Sequence, residues 1–160
     1  MKRRVCIFVG LLTLSWCVMT FMHECGHVFG GFLCGAKLTE VELAPWRLPY
    51  SMHSPDPYPL VTLWAGPLVG VAVPVALAAL IASRWAWLIA DFCLVANGSY
   101  LALAWLSGDR FLDTQRLLDA GAHPALILAF CVLTIVPGYV GFRSDCIFYL
   151  TPFSKTRNAD

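Results

Sequence analysis

The sequence predicts an all-α polytopic membrane protein of about four transmembrane helices, with a small extended β loop between the first two. Of its 160 residues, 59% are hydrophobic and only 13% are charged, and the mean hydropathy is +0.70. A soluble domain carries roughly 25% charged residues. The apolar residues also gather into four runs, each close to the roughly 20 residues that cross a hydrocarbon core. The formal net charge of +1 leaves no broad basic surface, which excludes nucleic acid as a partner and leaves the lipid bilayer as the surroundings. This length suits one membrane-embedded domain, residues 1–160.

The first run follows Lys2, Arg3 and Arg4. A basic start leading into apolar residues resembles a signal peptide, but the run is longer than an ordinary h-region and no small-x-small cleavage site comes after it. The apolar pattern resumes through Val28, Phe29, Phe32 and Leu33, so a retained span is expected over about residues 5–36. Three more spans are expected at 60–82, 85–106 and 125–142, each bounded by Arg, Pro or Gly. Ser83 and Arg84 form the turn between the second and third, and Trp85, Trp87 and Trp105 bracket the third at headgroup depth.

Two loops remain, 37–59 and 107–122. In the first, Leu38, Glu40, Val41, Glu42 and Leu43 alternate as a short strand does, and five prolines between Pro45 and Pro59 stiffen the rest of the loop. The second holds Asp109, Arg110, Asp113, Arg116 and Asp119. Grouping Lys2, Arg3, Arg4, Arg84, Arg143, Lys155 and Arg157 on one side leaves Lys37, Arg47, Arg110 and Arg116 on the other. That bias places both termini on the cytoplasmic side. The seven cysteines include no CxxC pair, and Cys6, Cys17, Cys93 and Cys131 lie inside apolar runs, where a thiol packs as a small hydrophobe.

Chemistry concentrates at the far end of the first span, where the chain reads His23-Glu24-Cys25-Gly26-His27. Residues four apart share a helix face, so both imidazoles can reach one Zn(II) ion. Glu24, beside the first ligand, is placed to take a proton from water activated by that ion. A catalytic zinc site has three protein ligands, so a third must come from elsewhere. The chain returns through the second span and exits again after the third, which brings residues 107–122 to the side of the histidines. Asp91, near the opposite end of the third span, is disfavoured and reads as a polar partner or interfacial residue near Arg84. His53 lies in the proline-rich loop and His123 just before Pro124 at an interface. Asp109, Asp113 and Asp119 stay open on this argument.

The motif pair resembles the site-2 protease family of intramembrane zinc metallopeptidases. His23-Glu24-Cys25-Gly26-His27 matches its HExxH helix, and Leu112-Asp113-Thr114-Gln115-Arg116-Leu117-Leu118 resembles its LDGGRxL pattern, with Thr114 standing where that pattern has glycine. Ala65-Gly66-Pro67 resembles a further AGP segment of such peptidases. The resemblance implies His23, His27 and Asp113 as ligands of one zinc ion, Glu24 as catalytic base, and a membrane-embedded peptide as substrate. Asp109 is the alternative ligand, although its place after Ser107-Gly108 also suits a turn or helix cap. Asn97 is a candidate substrate or oxyanion contact. It precedes Asp113 by sixteen residues, about 24 Å on an unbroken helix, so both serve one site only if the chain breaks at Ser107-Gly108. Two rivals remain: a non-catalytic membrane protein of the same ancestry, and a zinc transporter.

Overall fold

The computed structural model describes residues 2–151. In chain order the elements are α1 (Lys2–Leu33), β1 (Leu38–Glu42), β2 (Tyr50–His53), α2 (Pro59–Ile81), α3 (Arg84–Ser107), α4 (Asp113–Asp119) and α5 (Pro124–Leu150). Four of the helices, α1, α2, α3 and α5, are long and apolar enough to cross a membrane. Their exposure is inverted relative to a soluble bundle. Large side chains such as Leu68, Leu103, Leu133 and Val136 face outward, while Ser15, Thr20, Thr62, Asn97 and Thr134 are buried. A bundle dissolved in lipid has this pattern, because lipid tails accept the leucines and only neighbouring helices can satisfy the polar groups. The protein is an integral multi-pass membrane protein.

The expected spans match within a few residues, except that the last helix continues beyond residue 142 to Leu150. Its added turns carry Asp145, whose carboxylate accepts from Arg84 Nε at 2.9 Å. At the same end, Arg4 Nη2 donates to the Phe148 carbonyl at 2.7 Å and caps the helix. Arg84 therefore pairs with Asp145; Asp91, expected near it, is buried against Gly141. Lys155 and Arg157, used in the charge comparison, lie outside the described residues.

The loop after α1 is a two-stranded antiparallel hairpin in which Val41 pairs with Ser51 and Glu42 with Tyr50. The second strand is not among the expected elements: only four residues separate Pro49 from Ser54, and their alternation is inverted, with the polar pair Ser51 and His53 turned toward α1. The hairpin lies back along α1: Trp16 Nε1 donates to the Pro45 carbonyl at 2.9 Å. Trp16 precedes the end of α1 at Leu33 by seventeen residues, or about 26 Å of helix. The hairpin thus reaches back to the middle of α1, with Trp46 and Leu48 turned outward.

Gly108, at φ +65°, ends α3 and turns the chain back. The short helix α4 then docks through Leu117, which is fully buried with Leu63, Leu101 and Ile127. Thr114 adds a tie, its hydroxyl donating to the Leu101 carbonyl at 2.7 Å. Thr114 therefore pins α4 against α3 and fixes where that helix, and with it Asp113, begins.

Candidate metal centre

His23 and His27, one turn apart on α1, point their Nε2 atoms toward each other at 3.1 Å. Asp113 Oδ2 completes the group, 2.8 Å from His23 Nε2 and 3.2 Å from His27 Nε2. All three side chains are buried. Asp113 reaches them because α3 breaks at Gly108, as the spacing from Asn97 required.

The bonds behind the histidines determine which nitrogen faces inward. His27 Nδ1 is 2.8 Å from the Thr62 carbonyl oxygen, which can only accept, so Nδ1 carries the proton and donates. Asn97 Nδ2 donates to the Cys93 carbonyl at 2.9 Å and to the Gly70 carbonyl at 3.3 Å. Its Oδ1 consequently accepts from His23 Nδ1 at 2.7 Å. Both rings are thus held in the tautomer that turns an Nε2 lone pair toward Asp113.

Two lone pairs and a carboxylate oxygen at such separations repel unless a proton or cation lies among them. Ligand atoms on tetrahedral arms of about 2.0–2.1 Å stand about 3.3 Å apart, close to the 2.8, 3.1 and 3.2 Å found here. Two imidazoles and one carboxylate also suit zinc chemically, and His23, His27 and Asp113 form a group able to hold a metal ion. Arg116 Nη1 stands 3.9 Å from the other Asp113 oxygen, Oδ1.

The other expected residues occupy varied settings. Glu24 is buried on α1, and its Oε2 accepts from Ser51 Oγ of β2 at 2.9 Å. Asn97 supports His23, with both its donors engaged by carbonyls, so the geometry lends no support to a substrate or oxyanion contact. Asp109 is exposed, and its Oδ1 accepts from Phe111 N in a turn. Asp119 accepts from Gln115, and His123 Nδ1 caps α5 at Ala125 N. His53 packs over Gly31, its Nε2 buried and without a hydrogen-bond partner.

The AGP segment gains a physical reason. A Cβ on Gly66 would clash with the His27 ring, and a Cβ on Gly26 would overlap the Ala65 carbonyl. Glycines on both helices let α1 and α2 approach closely enough for Thr62 to meet His27. Sequence reasoning missed Thr62, Ser51 and Tyr100, whose ring stands edge-on to His23 with centroids 5.4 Å apart. Thr62 acts through a backbone oxygen that every residue type possesses, and so leaves no trace in the sequence.

Inward ligand atoms of this kind within a bundle of membrane-spanning helices fit a membrane metallopeptidase-like protein. The comparison with known families agrees: a model described as Peptidase M50B-like matches residues 5–114, and the chain belongs to that family, which supports the site-2 protease relationship. No curated protein and no solved structure matches the chain.

Proposed function

We propose that the protein is an intramembrane zinc metalloendopeptidase that hydrolyses peptide bonds of membrane-embedded substrates. The observation that carries this reading is the convergence of His23 Nε2, His27 Nε2 and Asp113 Oδ2, with both Nδ1 atoms tied back. His23, His27 and Asp113 would hold one Zn(II), which when bound polarises a carbonyl and lowers the pKa of water toward about 7. Glu24 takes the proton as a water oxygen attacks the scissile carbonyl carbon. It returns that proton to the amide nitrogen as the C–N bond breaks, so the amine leaves neutral. Asn97 and the Thr62 carbonyl hold the two imidazoles in their working tautomer throughout.

A substrate helix keeps its backbone bonded within itself, and must unwind locally before attack. The outer edge of β1 supports extended binding. Among the described residues β1 pairs with β2 alone, so its other edge offers unpaired backbone groups, and an unwound segment would pair with it. The charge bias supports cytoplasmic termini, with the centre nearer the opposite face.

The test is cleavage of a co-reconstituted single-span substrate by the purified chain. Wild type should cleave, and Glu24→Gln should keep its zinc while losing about a hundredfold or more in rate. Equal turnover by the two would refute the assignment of Glu24.

A further inference from the structure

Ser51 lies on the hairpin, on a different element from the metal centre, and nothing in the HExxH or LDTQRLL segments points to it. It is nevertheless 4% exposed, and its hydroxyl is directed at Glu24, itself 8% exposed. On β2, residues two apart share a face, and the two inward residues Ser51 and His53 meet Glu24 and Gly31, seven residues apart on α1. Seven residues is close to two helical turns, so β2 rests along the same stripe of α1 that presents the base. The bond is therefore part of how the hairpin docks, and its 2.9 Å length lies within the roughly 2.5–3.0 Å range of O–H···O hydrogen bonds.

A glutamate has three side-chain torsions and loses considerable freedom when it must face one direction. A buried donor on one carboxylate oxygen selects a rotamer and leaves the other oxygen to exchange a proton. Ser51 also stands opposite Val41 in the ladder, so β1 is bonded to the strand that holds the base.

We propose that Ser51 is a positioning residue for Glu24, through which the hairpin docked on α1 fixes the orientation of the base. This rests on the reading of Glu24 as general base. Its consequence is that hairpin placement governs turnover and not only substrate capture.

The experiment compares the full chain as wild type, Ser51→Ala, Ser51→Thr, Ser51→Val and Glu24→Gln, each loaded with zinc and reconstituted with a single-span substrate. Ser51→Ala should lower kcat about tenfold, the scale of one hydrogen bond to a charged group, with KM and zinc content within about twofold of wild type. Thr and Val are nearly isosteric, so Ser51→Thr should turn over several-fold faster than Ser51→Val, which decides the matter if Ser51→Ala fails to fold. A second readout needs no turnover: the infrared carboxyl band of metal-free protein that disappears in Glu24→Gln should shift in Ser51→Ala and stay in place in Ser51→Thr. Wild-type kcat and an unmoved band in Ser51→Ala, with Glu24→Gln inactive, would overturn the role of Ser51 and leave the peptidase reading intact. A rise in KM at constant kcat would likewise overturn it, making Ser51 a substrate contact. Wild type inert toward every substrate tried, with Glu24→Gln no different, would overturn both.

Discussion

The two ends of the bundle both bury ionisable groups, yet they dispose of them in opposite ways. At the end that holds Arg84, the charges close on one another: Arg84 Nε meets Asp145 at 2.9 Å, Nη2 donates to Ser144, and the guanidinium lies 4.0 Å from the Phe148 ring centroid. Arg4 covers the same ring and caps α5. At the other end, the hydrogen bonds run outward, from His23 to Asn97 and from His27 to Thr62, and the remaining atoms converge on one another. An arginine that ends in a carboxylate, carbonyls and an aromatic face is satisfied by the protein and serves cohesion. A set of acceptors turned inward and braced from behind is organised for something the chain does not itself supply. Burial alone does not distinguish the two; the direction of the hydrogen bonds does.

The comparison breaks most visibly at the three inward donors. His23→Ala, His27→Ala and Asp113→Asn should each weaken zinc binding by more than about a hundredfold, because each removes one of three protein ligands. Asp109→Asn should stay near wild type, since Asp109 holds only a turn. Zinc titration of folded protein in detergent checks this. Full zinc in Asp113→Asn with loss in Asp109→Asn would reverse the assignment.

A smaller effect tests the bracing. Gly66→Ala drives a methyl against the His27 ring, so the ring or α2 must shift. Zinc affinity should fall by about ten- to a hundredfold, as for lost support behind a ligand, and stability by about 1–3 kcal/mol from overpacking. Thermal unfolding with and without zinc separates the two effects.

The smallest effect on zinc is expected at the opposite end. Arg84→Ala leaves Asp145 buried without its partner and should cost about 1–3 kcal/mol of stability, while zinc affinity stays within about twofold. A large loss of zinc binding in Arg84→Ala would show that the two ends are one coupled network.

Legibility in the sequence divides along physical lines as well. The spans were readable because lipid exposure imposes an apolar composition over fixed lengths. His23, Glu24 and His27 were readable because one helical turn sets their spacing. Asp113 was reached through a family-like segment, with topology placing it on the correct side, and the break at Gly108 was foreseen from the distance to Asn97. Three other features were not legible. Strand β2 is four residues long and owes its existence to pairing with β1 and packing on α1 rather than to its own pattern. The extension of α5 to Leu150 depends on partners, Arg84 and Arg4, that are distant in the chain. Ser51 is an ordinary serine until the hairpin folds back and brings it within reach of Glu24.

The most direct test of the central claim is zinc X-ray absorption on the purified full chain, loaded with one equivalent of zinc. The account predicts a shell of nitrogen and oxygen only, at about 2.0–2.2 Å, with the outer-shell scattering of two imidazoles. Asp113→Asn should change that shell. A zinc ion ligated by sulfur at about 2.3 Å, drawn from the seven free cysteines, or a shell containing no imidazole, would contradict it.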